Sequence, residues 1–342
     1  MGEVFSPLDQ QLGTEGSRWS EGLQKLVVWL GGLLPFARVQ EVVERAAGLY
    51  VSTTSIWRIV QKKGEQFREL EKRKGRREQV CRERIRVDQK PPRLGCSMDG
   101  GMIHLREEGW KELKVGAIFE VELRPEVEHR TGETIELAHA VANSYVAHLG
   151  GPEEFGDKLW AEAQARGWEQ ARETVVIGDG APWIWNLTRT HFYDSKQVVD
   201  WYHAAEHLAQ AAHLLYGEDQ PAVEAWLKRW KTPLYQGHAG RIAAMLTQEA
   251  ASRPSLAEEL LQEAHYFHQN QHRMQYMEMR EEGWPIGSGT VESGCKQFKH
   301  RFTGPGMRWS REGAERLLPI RTAIMSQRFD AMWHLLSHSP PN

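Results

Sequence analysis

Three short strand-like runs in this chain each end at or beside an acidic residue. Leu94 to Met98 leads into Asp99-Gly100-Gly101, Thr174 to Ile177 into Gly178-Asp179-Gly180, and Gln197 to Asp200 runs straight into a helical pattern from Trp201 to Tyr216. Runs this short, rich in β-branched residues and bounded by glycines or helix starts, read as strands rather than helices. Further strands are predicted at Met102 to Leu105, Leu113 to Leu123 and near Ile135 to Val141, and helices at Glu153 to Arg166 and Trp183 to Thr190. Strands first, then strand and helix in alternation, imply a mixed α/β sheet. Open sheets of that class hold ligands at the carboxyl ends of their strands, where Asp99 and Asp179 are expected to emerge.

A third acid, Glu292, follows the glycine-containing loop Gly283 to Gly289 and begins a helix. From Gly217 to Arg280 the strand signals vanish and apolar residues recur at helical spacing, punctuated by Pro221, Pro233 and Pro254, which predicts a helical insertion ahead of Glu292. Asp99, Asp179 and Glu292 are too far apart in sequence for local geometry to unite them, so only a fold can do so. Taken singly, Asp99-Gly100 and Asp179-Gly180 also read as ordinary turns. Taken together, three carboxylates suit hard divalent ions, and two Mg²⁺ or Mn²⁺ about 4 Å apart would both activate an oxygen nucleophile and neutralise a reacting phosphate.

The charge distribution fits a polyanionic partner. The formal net charge is −3, yet Arg58 to Arg93 carries 14 basic against 6 acidic residues and Cys295 to Arg328 carries 8 against 2, which leaves −17 for the remainder. Two basic surfaces on an acidic body are a nucleic-acid footprint, although single runs of this kind are commonly solvated helices. Near the N-terminus, Leu23 to Leu33 and Phe36 to Ala47 have helical periodicity, Gly48 breaks the pattern, and Ser52 is an N-cap for a helix to about Lys63. Helix, short turn and helix match a DNA-reading motif whose second helix enters the major groove. Its contact residues would be Ser52, Thr53, Thr54, Trp57 and Arg58.

Other features compete or exclude. His203-Ala204-Ala205-Glu206-His207 contains the H-x-x-E-H string of a zinc metalloprotease, with Glu258, Glu259 or Glu263 available as a further ligand; the same string also serves as a plain helix capped by Asp200. A non-catalytic DNA-binding regulator is a third class. Trp284 and Trp309, in loops beside the acidic residues, are the tryptophans placed to stack on an unpaired base. Cys81, Cys96 and Cys295 form no CxxC pair and read as reduced core residues. No apolar stretch approaches the roughly 20 residues that span a bilayer, so a cytoplasmic protein without membrane contact is expected, and a DNA partner would make it nucleoid-associated.

These blocks together resemble the DDE transposases of bacterial insertion sequences, specifically the ISKra type, related to the Mutator-like group. The resemblance lies in Met98-Asp99-Gly100, in Val176 to Leu187 (VIGDGAPWIWNL), in Val198 to Leu208 (VVDWYHAAEHL), in Pro285 to Lys296 (PIGSGTVESGCK) and in Gly306 to Ser310 (GMRWS), and spans about Phe5 to Trp333. Family members often carry a Cys-rich segment ahead of the region matching Phe5 to Asp9; this chain begins almost there and has no CxxC pairs. The resemblance implies catalytic and metal-binding roles for Asp99, Asp179 and Glu292, and a supporting D-x-x-H motif at Asp200 and His203. It also implies a ribonuclease H-like core with a helical insertion, preceded by an all-α helix-turn-helix domain. The implied division is 1–64 for that domain, 65–92 for a basic linker, 93–216 and 283–336 for the core, 217–282 for the insertion and 337–342 for a tail. Element ends and target DNA would be the substrates, with Lys296, Lys299, Arg301, Arg308 and Trp309 on the DNA and a homodimer or higher oligomer assembled upon it.

Overall fold

The computed structural model describes residues 19–77, 91–127, 133–304 and 307–338. Its centre is a five-stranded mixed sheet: β1 (Arg93–Leu105), β2 (Gly109–Val127), β3 (Thr134–Leu149), β4 (Glu173–Gly178) and β5 (Lys196–Val199), in the order β3-β2-β1-β4-β5. The pairs β1–β2 and β2–β3 are antiparallel, whereas β4 runs parallel to both β1 and β5. The predicted strands at Leu94–Met98 and Met102–Leu105 are therefore one continuous strand. Gly100 and Gly101 do not break it, because β2 pairs with β1 without interruption from Glu120 to Gly109.

Alternation of side chains across the sheet assigns its two faces. Met98 lies opposite Gly116, where a Cβ would come within 2.7 Å of Leu159, so α4 (Pro152–Ala165) packs on that face. One residue on, Asp99 lies opposite Val115 and points to the other face, covered by α11 (Gly289–Thr303) through Val291, Cys295 and Phe298. After α4 the chain alternates strand and helix: β4, α5 (Pro182–His191), β5 and α6 (Trp201–Tyr216). Pro182 and Pro221 stand in the first turns of their helices, where a missing N–H costs nothing. From Gln220 to Glu281 there is no strand: α7 (Gln220–Tyr235), α8 (Ala239–Ser252), α9 (Ala257–Asn270) and α10 (Tyr276–Glu281) follow one another, with short 3₁₀ turns at Pro254–Leu256 and Gln271–Arg273.

The N-terminal helices α1 (Glu21–Leu33), α2 (Phe36–Ala47) and α3 (Thr53–Arg77) depart from the expected division. Helix α3 runs through the boundary placed at residue 64, and so makes the first part of the supposed linker helical; residues 78–90 lie outside the described ones. It packs along α12 (Arg311–Met325) and α13 (Phe329–His338), with the Phe67 ring stacked on Phe329 and Glu65 paired to Arg316 at 3.0 Å. One hydrophobic core includes Val28 of α1, Val60 of α3, Cys96 of the sheet and Leu317 of α12. The N-terminal helices are fastened to the C-terminal ones because an amphipathic helix must bury its apolar stripe, and α12 and α13 present the complementary surface. No described helix is long and apolar enough to cross a membrane.

Candidate functional site

Four acidic residues reach one end of the sheet by four routes. Asp99 sits inside β1, not at its carboxyl end as predicted, but it lies just past Ser97, where the parallel pairing with β4 stops. Asp179 follows β4, and its Oδ1 accepts the Ala181 N–H at 2.8 Å, a tight turn that Gly180 permits with φ of +106°. Asp200 follows β5 and caps α6: its Oδ1 accepts the N–H groups of Tyr202 at 2.6 Å and His203 at 3.0 Å. Glu292 stands in the first turn of α11.

The loop before α11 is zipped to the start of α6. Trp201 N–H donates to Ile286 carbonyl at 2.9 Å, and Ser288 N–H donates to Asp200 Oδ2. Gly287 passes close to Asp200 here, and a Cβ on it would meet the Tyr202 ring at 3.2 Å. These contacts carry Glu292 across the helical insertion to the sheet. Ligand atoms of Asp200, His203 and Glu292 all lie within 4.8 Å of one another, a group that could hold a metal ion. The expected metal set was Asp99, Asp179 and Glu292, so only Glu292 is common to both groupings. The reason is hydrogen bonding: Asp200 caps α6 and also accepts the N–H of Ser288, which sets the first turn of α6 beside that of α11.

The electrostatics separate these acids. Burial raises the Asp99 carboxyl above the usual range and the charge of Asp179 adds to it, against the Cys295 thiol, the Gly100 N–H and His203, which favour the ionised form. Burial would also raise Asp200, but contacts from His203 and Ser288 outweigh it and hold its carboxyl below the usual range. His203 Nδ1 lies 3.5 Å from Asp200 Oδ1, an ion-pair contact. Its imidazole is raised from 6.5 to about 9 by Asp200, against burial, with Asp179 and Glu206 adding. A protonated imidazole beside a fully hydrogen-bonded carboxylate is a structural clamp, and it ligates a cation only after losing its proton. The under-compensated carboxylate is Asp99, and a cation there would relieve both its burial and its repulsion from Asp179.

The rest of the histidine string faces elsewhere. His207 Nδ1 lies 2.8 Å from Glu263, and its ring stacks on Tyr266 with centroids 3.6 Å apart. Tyr266 in turn donates to the Asp179 carbonyl at 3.0 Å, so the insertion helix α9 buttresses the Asp179 turn. The one three-ligand group among the described residues contains His203 but not His207, which leaves the zinc-protease set of His203, His207 and a glutamate unformed.

Ser52 caps α3 by accepting the Ser55 N–H at 3.2 Å, while Thr53, Thr54, Trp57 and Arg58 are exposed along its first turns. Lys296, Lys299 and Arg308 are exposed too, and Lys296 Nζ lies 3.3 Å from Glu292. Arg301 and Trp309 require correction, because both are buried. Arg301 donates to the Gly31 carbonyl at 2.9 Å between the rings of Phe36 and Trp309, and Trp309 Nε1 donates to the Phe302 carbonyl. Neither is accessible to DNA. Trp284 is buried under the Arg93 guanidinium, 3.6 Å from the ring centroid, and is likewise unable to stack on a base. Sequence reading missed Ser288, Tyr266 and the approach of Cys295 to Asp99. For Cys295 the i,i+3 spacing from Glu292 was a usable signal; for the others none existed. Compared with protein-family models and with curated proteins, the sequence matches none.

Proposed function

We propose that the chain is a DNA transposase of the DDE type, acting on phosphodiesters by metal-dependent hydrolysis followed by transfer of the freed 3′-hydroxyl to target DNA. The observation that carries this reading is the convergence of Asp99, Asp179, Asp200 and Glu292, delivered from three strands and a distant helix, at one end of the sheet. We infer further that the sheet is a ribonuclease H-like core. Its order, three antiparallel strands followed by two parallel to the first, supports that inference, as does an all-helical stretch just ahead of the glutamate.

Asp99, Asp179 and Glu292 would hold divalent metal, Mg²⁺ or Mn²⁺, which when bound supplies an activated water and neutralises charge on the phosphate. Asp200 and His203 act by positioning: the first sets the helix that carries Glu292, and the second balances the negative charge around it. The exposed Thr53, Thr54, Trp57 and Arg58 would read the element ends, and Lys296, Lys299 and Arg308 would hold backbone phosphates.

The test uses the purified protein with Mg²⁺ and a duplex carrying the inverted repeats that flank its gene. Substituting Ala at Asp99, Asp179 or Glu292 is expected to abolish nicking in each case. Wild-type nicking by all three variants would overturn the reading.

A further inference from the structure

Deeper in the molecule lies a charge that this mechanism does not use. Arg321 of α12 is 6% exposed and donates to backbone carbonyls, to Gly32 in the last turn of α1 at 3.3 Å and to Gln297 at 3.1 Å, while its Nε, closed off from solvent, has no acceptor; only the small exposed part of the guanidinium meets the groove. Arg301, the other buried guanidinium nearby, is sandwiched by aromatic rings. Arg321 has neither a ring nor a carboxylate against it among the described residues. The carbonyls at the end of α1 offset part of its buried charge, and no carboxylate completes the pairing, so an anion reaching it would be held.

Arg321 forms the floor of a cavity of about 580 Å³ that opens along α11, lined also by Glu292, Ser293, Lys296, Gln297 and His300. These side chains follow the i, i+4, i+8 ridge of the helix and lead away from Glu292 over about 12 Å at 1.5 Å per residue. Only Glu292, at the end by the acidic residues, is negative; Lys296 and His300 add donors along the walls.

We propose that this groove binds the phosphodiester backbone of a single DNA strand leaving the acidic centre, with Arg321 as a phosphate-binding residue on its floor. The proposal rests on the transposase reading for its substrate class. It explains why the helix that presents Glu292 carries polar donors on its outer ridge.

Binding of a fluorescent 20-nucleotide single strand, followed by anisotropy in EDTA at low salt, tests the groove apart from catalysis. His300→Glu places a negative charge in the groove without touching the core and is expected to weaken binding at least tenfold; Arg321→Gln is expected to weaken it five- to tenfold. Arg321→Gln should also lower the log–log salt slope by about 0.7, the value for one fewer phosphate neutralised on a single strand. The same charge at the exposed Gln248 of α8 should change affinity less than twofold. Unchanged binding by His300→Glu, or equal weakening by Gln248→Glu, would overturn the groove. Its failure would leave the nicking test of the three acids untouched, whereas inactive acid variants with an intact groove effect would support both.

Discussion

The carboxylate of Asp200 joins two helix starts at once. Its Oδ1 caps α6 through Tyr202 and His203, and its Oδ2 accepts the N–H of Ser288, the residue just before α11. A single buried side chain therefore fixes the distance between β5 and the helix that presents Glu292, although 88 residues separate Asp200 from Ser288.

Removing that carboxylate is expected to be costly. Hydrogen bonds to a charged group contribute about 1.5–3 kcal/mol, and an orphaned buried N–H costs about 1–3 kcal/mol. Asp200→Ala should lose about 3 kcal/mol in urea unfolding, and Asp200→Asn less, because one amide oxygen keeps part of the cap. Glu292→Ala, half-buried and free of such duties, should stay within about 1 kcal/mol of wild type. Equal destabilisation by the two alanine variants would refute the positioning role.

Asp99 is held against its preference for ionisation by burial and by Asp179. A raised carboxylate destabilises the fold when ionised at neutral pH, so Asp99→Asn should raise the melting temperature of metal-free protein while abolishing nicking. Added Mg²⁺ should stabilise wild type by mass action and leave the variant unmoved. Calorimetry with and without EDTA separates these outcomes.

The imidazole of His203 is raised from 6.5 to about 9. A group whose pKa is higher in the folded state stabilises it fully below the unfolded value and loses that contribution as pH rises through the folded one. Metal-free wild type should therefore lose stability between about pH 6.5 and pH 9 relative to His203→Gln, with its full advantage below that window. Parallel stability profiles for the two proteins across this range would count against the Asp200–His203 ion pair.

Gly180 has φ of +106°, and a Cβ there would lie 2.7 Å from the Tyr266 ring. Gly180→Ala combines backbone strain with a clash and is expected to cost about 1–3 kcal/mol. It should also depress nicking, because Asp179 shares that turn. Gly101→Ala, with open space around its Cβ position, serves as the comparison and should be near neutral in both assays.

Much of the fold was legible in local patterns. Period-two and period-3.6 apolar spacing located the strands and helices, and the Asp200 cap and the Ser52 cap were readable as side chains that satisfy orphan N–H groups at helix starts. Local patterns failed at β1, because two glycines read as a turn when a paired neighbour can hold them extended. They failed again at Arg301, Trp284 and Trp309, whose loop-like and basic contexts gave no sign that a carbonyl of α1, a ring of α2 and the Arg93 guanidinium of β1 would enclose them.

The sequence by itself determined which residue types are available to the proposed chemistry and in which elements they sit: carboxylates after strands, a glutamate opening a helix, basic residues beyond it. Tertiary structure alone decided which of them meet. That Asp200 tethers Ser288, that Cys295 faces Asp99 and that Arg321 floors a groove beside Glu292 all depend on contacts between segments remote in the chain. Local propensity acts over a few residues, whereas the site is assembled by burial of apolar faces that brings α6, α11 and the sheet together.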